Sequence, residues 1–174
     1  MFGRVLAGVA VLAAVAGCGE AAPEGNAAAV GWAEQVCRSV GEGAATLAQP
    51  PRLDPANPAQ VRDGMVGYLG QLARALDTVS RGLGTAGVPP VADGAAAAAA
   101  ATTTIGQTRA ALEQARAKLG QAPVSDPAAF QRAVGEVGKD LAALTNVEGP
   151  VKDLRANPEL NQAFAAAGSC KALG

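Results

Sequence analysis

The feature that most restricts what this chain can fold into is a seam in its second quarter. Met65, Leu69, Leu72, Leu76, Val79 and Leu83 follow one another at intervals of 4, 3, 4, 3 and 4 residues. An α-helix turns once in about 3.6 residues, so this spacing draws one narrow apolar stripe. Such a stripe suits a helix lying at a shallow angle against a neighbour. A start signal precedes it: Asn57 as N-cap, Pro58 as first helical residue and Gln60 at the third position. The pattern predicts a helix over about 58–83, ended by the Gly- and Pro-rich segment 84–90.

The stripe recurs. Phe130, Val134, Val137, Leu141 and Leu144 repeat the 4, 3, 4, 3 spacing behind Asp126 as cap and Pro127 as first residue. Between these two helices Ile105, Leu112 and Leu119 recur every seven residues, with Ala98 and Val91 continuing the series backwards. They predict a helix from Val91 or Gly94 to Leu119. Its seven consecutive alanines, 95–101, have high helix propensity and almost no packing volume, so a partner can approach closely there. A first helix is expected from Asn26, as cap, to about Gln49. After the break at Glu148, Gly149 and Pro150 come a short piece to Ala156 and a last helix opened by Asn157 and Pro158, carrying Leu160 and Phe164 and closed by Gly168. No alternating β-branched segment competes. The expected fold is all-α: an up-and-down four-helix bundle with a short C-terminal helix. About half of the 49% hydrophobic content is Ala and only five residues are aromatic. Its core is therefore thin, built from Leu, Val and Ala.

The N-terminus carries a different message. A basic start (Met1 to Arg4) leads into twelve uncharged residues, 5–16. Crossing a bilayer takes roughly 20 apolar residues, so this is the length of a signal-peptide core. Val15, Ala16, Gly17 and Cys18 then resemble the lipobox of bacterial lipoproteins. That resemblance implies diacylglyceryl transfer to the Cys18 thiol, removal of residues 1–17, and an acyl (palmitate-type) anchor holding the chain on the outer face of the cell membrane. Two or more acyl chains make such an anchor stable. Residues 18–26, small and polar, read as lipidated Cys and flexible tether, and 27–174 as the helical domain. The whole chain also resembles small helical lipoproteins of GC-rich Gram-positive bacteria, which implies a place in the cell envelope and no particular activity.

Three cysteines leave an odd thiol. Lipidation consumes Cys18, and outside the cytoplasm Cys37 and Cys170 are expected to pair. The bridge would tie the first helix to the last few residues. No His is present and no CxxC spacing, so a metal or redox pair has little support.

The chemistry of catalysis is scarce. Without His the commonest base and ligand is missing. No SxxK occurs, and Ser39, Ser80, Ser125 and Ser169 read as surface or turn residues. Gly82, Gly84 and Gly87 match GxGxxG letter for letter. A helix precedes them and Val88, Pro89 and Pro90 follow, where a dinucleotide site needs a strand before and a helix after. They read as a helix end and loop. Thr102, Thr103 and Thr104 read as a solvated face. The expectation is no enzyme, no cofactor and no metal. With 14 basic against 15 acidic residues, no nucleic-acid partner is expected either.

Two features invite a binding role. Gly64, Gly67 and Gly70 recur every third residue of the second helix, each costing about 1 kcal/mol relative to Ala. They suggest a smooth candidate groove, or simply close packing on the Ala-rich third helix. Trp32 is either an interface anchor or a cover for the disulfide at one end of the bundle. The leading expectation is an interaction module for another envelope protein. The alternative is a carrier of a small apolar or lipid ligand, in a cavity between Ala95–Ala101 and Gly64–Gly70.

Overall fold

The computed structural model describes residues 24–47, 50–145 and 149–173. Seven helices follow in order: α1 Glu24–Ala45, α2 Pro58–Ala86, α3 Gly94–Gly120, α4 Pro127–Thr145, α5 Gly149–Arg155, α6 Pro158–Ala166 and α7 Gly168–Lys171. No strand occurs among the described residues. The four long helices pack together as an up-and-down bundle, and the short C-terminal helices are tied back by the Cys37–Cys170 disulfide. The signal segment, Cys18 and the tether as far as residue 23 lie outside the described residues.

Start signals operate as their chemistry requires. The Asn57 side chain accepts from the Gln60 amide at 3.1 Å, and Asp126 accepts from Ala128 and Ala129 at 3.0 and 3.1 Å. Asn157 accepts from Glu159 and Leu160, and its own amide donates to the Ala92 carbonyl at 2.6 Å, joining the start of α6 to the loop before α3. Helix ends differ from expectation at both ends of α1, at the end of α2, and at Gly168, which opens α7 instead of closing α6. The first helix starts at Glu24, so Asn26 lies within its first turn and the end of the expected tether is helical. At Ala45 it stops, because Thr46 and Leu47 fold back on the Gly43 and Ala44 carbonyls in tighter, three-residue bonds. The second runs past Gly82 and Gly84 to Ala86. It ends where the backbone turns to φ 71° at Gly87, a conformation that suits Gly.

The helices build two hydrophobic cores along one scaffold. α2 and α3 form an antiparallel hairpin whose register is marked by Asp77–Arg109, 3.1 Å apart. At one end Trp32, Ala33 and Val36 of α1 pack with Leu83, Ala101 and Ile105, and with Leu154, Leu160 and Phe164 of α5 and α6. At the other end Phe130 and Val137 of α4 pack with Leu69, Leu112 and Leu119. The α2 seam runs through both: Leu69 and Leu83 are buried, and Met65, Leu72, Leu76 and Val79 half-buried. The small side chains of the alanine run admit α5, where Ala101 is fully buried and the Thr104 hydroxyl reaches Asp153 at 2.5 Å. Thr104 is thus a cross-link, whereas Thr102 and Thr103 donate to carbonyls of their own helix.

Candidate functional site

The bridge is the centre of a larger clasp. Cys37 and Cys170, 133 residues apart, have Cα atoms at 5.0 Å. One turn before Cys37, the half-buried Glu34 carboxylate receives the Gly168 and Ser169 amides and the Ser169 hydroxyl. Hydrogen bonds from Ser169, side chain first, and from Gly168 hold the Glu34 carboxyl below the ordinary glutamate range. α7 is therefore fastened twice to α1, once covalently and once through its first amides. Ser169 is a specific partner here, not a neutral turn residue. Nothing in the local spacing of Glu34 marks it, because its partners are 134 and 135 residues away.

Trp32 belongs to the same end. It is 5% exposed, its indole N–H donates to the Gly87 carbonyl at 3.0 Å, and it meets Phe164 edge-on with ring centroids 6.1 Å apart. The guanidinium of Arg155 covers the Phe164 ring at 5.6 Å. Trp32 is thus a core residue sharing a cluster with both bridged cysteines and is not a surface anchor.

The glycine groove does not form. A three-residue step leaves a helical position about 60° short of a full turn, so Gly64 and Gly70 point about 120° apart. An added Cβ at Gly64 would meet Leu53 of the preceding loop at 2.7 Å; at Gly67 it would meet nothing; at Gly70 it would meet the Arg74 and Arg116 guanidinium groups at 3.6 Å. Trp32 sits at the opposite end of α2, beside Gly87. The expected cavity between Ala95–Ala101 and Gly64–Gly70 is absent too. The antiparallel hairpin places Gly70 opposite Arg116, at the far end of α3 from the alanines.

A groove is present elsewhere, where the two cores meet. Val40 from α1, Leu47 just past its end, Leu72 and Leu76 from α2, Leu112 from α3 and Leu141 from α4 line a space of about 460 Å³. It arises because the apolar stripes of α1, α2 and α3 continue between the two cores, past the cover of α5–α7 on one side and of α4 on the other. Its volume lies in the range of small-molecule sites, roughly 300–1,000 Å³. A second groove of about 500 Å³ lies between the starts of α2 and α4, lined by Leu53, Val61, Phe130 and Val134. The outer seam of α1 and α2 carries instead a polar hollow of about 400 Å³, with Ser39, Glu42, Thr78 and Arg81 on its walls. Sequence periodicity marks each groove residue as apolar and says nothing of which ones remain uncovered.

Among the described residues no polar or charged residue is fully buried, and no group of three or more His, Cys, Asp or Glu side chains gathers to hold a metal ion. None of the described helices is long and apolar enough to cross a membrane. The exposed ion pair Lys118–Asp140, at 2.5 Å, raises the Lys118 pKa by its hydrogen bond. It joins α3 to α4 and faces no groove chemistry. No family model matches the chain, and no curated protein and no solved structure is significantly similar to it.

Proposed function

We propose that this protein is a lipid-anchored, extracytoplasmic binding module that holds a small apolar molecule in the groove between its two cores. The observation that carries the reading is the lining of that groove: apolar side chains from all four long helices around about 460 Å³. Filling it removes apolar surface from water on both sides, at about 25 cal/mol per Å².

A module docking on another envelope protein is the reading that composition alone favours. A stable protein interface takes about 800 Å² from each partner. Among the described residues the large hydrophobic side chains most open to solvent are Val88 and Leu173, 66% and 43% exposed, one in the loop between α2 and α3 and the other past the end of α7. The groove is therefore the better supported surface.

The deciding experiment is native mass spectrometry of residues 19–174, which contain every described helix, purified from an oxidising compartment. A mass excess that disappears on denaturation is expected. A native mass equal to that of the polypeptide, together with no binding of added hydrophobic probes, sinks the reading. The anchor has its own test. Cells supplied with labelled palmitate should label the full-length protein, and Cys18→Ser should abolish both the label and its retention in the membrane fraction. Label persisting in Cys18→Ser would refute the anchor.

A further inference from the structure

The lining of the central groove narrows the class of ligand. None of the described lining residues is aromatic or charged, and Thr108 alone brings a polar side-chain atom. Its hydroxyl already donates to the Thr104 carbonyl at 2.9 Å. A molecule with ring carbonyls, amides or several hydroxyls would leave those groups without partners in this space, at a cost that opposes binding. No aromatic face is offered for a flat ring to stack upon.

The shape points the same way. Leu72 to Val79 on α2 spans seven helical steps, so that wall extends about 10 Å; Val40 on α1 and Leu47, just past the end of α1, mark the wall beside it. α1 and α2 are antiparallel, and these walls lie side by side. Gly43 and Ala75, where the two helices cross closely, form the floor of the trough, and Ala44 beside them is too small to fill it.

We infer that the groove takes one linear acyl chain, laid lengthwise over the α1–α2 crossing with its polar end left in solvent. This rests on the apolar-ligand reading above. An extended chain advances roughly 1.25 Å per carbon–carbon bond, from a bond length near 1.5 Å at tetrahedral angles. About eight carbons therefore lie inside the trough.

The test is calorimetric titration of the protein with saturated fatty acids from six to fourteen carbons, below their micelle concentrations. Affinity should tighten about fourfold for each added methylene while the chain is still filling the trough. It should flatten once about eight carbons are inserted. Ala44→Phe, which fills the trough from a side chain outside both cores, should remove the series. Gln131→Phe, in the second groove, should retain it, and circular dichroism melts establish that both variants fold. Matched lysophospholipids following the same steps would identify a glycerolipid chain as the source; steps with free acids alone would identify a free fatty acid. Rigid polycyclic probes binding with no dependence on chain length among the acids would overturn the acyl assignment and leave the apolar-ligand reading standing. Neither class binding would overturn both.

Discussion

Gly82 and Gly67 sit in the same helix, and the same substitution at each should move stability in opposite directions. Gly67 is exposed, and a Cβ placed on it has nothing within 4 Å. Gly82 faces α1, where a Cβ would lie 2.0 Å from the Ser39 hydroxyl oxygen and 2.2 Å from the Ser39 β-carbon. The hydroxyl can rotate away. The β-carbon cannot, since it moves only with the backbone of α1. Carbon atoms in contact sit about 3.5–4.0 Å apart, so α1 must retreat by more than an ångström. That retreat would also loosen the neighbouring crossing at Gly43, where a Cβ would be only 3.0 Å from the Ala75 carbonyl oxygen.

The magnitudes separate the two cases. Gly→Ala in an exposed helix interior gains about 1 kcal/mol. Overpacking costs about 1–3 kcal/mol, and a deficit this large against backbone belongs at the upper end. Gly67→Ala should therefore stabilise by about 1 kcal/mol, raising Tm by roughly 2–4 °C for a domain of this size. Gly82→Ala should lose about 2 kcal/mol net, lowering Tm by roughly 4–8 °C. Urea unfolding of both variants gives the comparison, and Ser39→Gly combined with Gly82→Ala closes a double-mutant cycle. Removing the Ser39 β-carbon should return about 3 kcal/mol of coupling, the whole overpacking cost. If Gly82→Ala stabilised the protein as much as Gly67→Ala, the close approach of α1 to α2 would be refuted.

Three further predictions rest on the clasped end. Replacing Cys37 and Cys170 together by Ser should cost about 5 kcal/mol from chain entropy, given a separation of 133 residues; a urea midpoint unchanged from the oxidised protein would contradict this. Glu34, with its folded-state pKa lowered, contributes stability that is fully present above the ordinary glutamate value of about 4.3 and is lost as pH falls through the lowered folded value. Glu34→Gln should accordingly flatten the acid limb of a stability–pH profile, and an acid limb as steep as that of the parent would argue against the clasp. Trp32→Phe should lose about 1 kcal/mol with the bond to the Gly87 carbonyl and Trp32→Ala about 3–5 kcal/mol, read as shifts in the denaturation midpoint; no loss in Trp32→Phe would show that the indole N–H contributes nothing.

What could be read in the sequence is what is local. Asn57–Pro58, Asp126–Pro127 and Asn157–Pro158 each start a helix because a cap and its first amides lie within three residues of one another. The seams of α2 and α4 follow from helix pitch, and the bridge follows from having two thiols left to pair. Other features depend on register between helices, which no local spacing encodes. Gly64, Gly67 and Gly70 look alike as a motif, yet one abuts a loop, one faces solvent and one lies beneath two arginines. Gly82 stands out only through a dinucleotide-type match that its surroundings rule out, yet it is the glycine whose missing side chain matters most for packing. Glu34 and Ser169 are unremarkable until α7 is folded back on α1.

The groove itself follows from an unequal division of labour along the hairpin. α2 and α3 are 29 and 27 residues long and carry continuous stripes, whereas the helices that cover them do so in pieces. α1 with α5–α7 covers one end, and the 19-residue α4 covers the other. Leu76 packs against both cores, which makes it the point where the covers hand over. α4 ends at Thr145 and α5 begins at Gly149, so two covers, not one, pack along the hairpin.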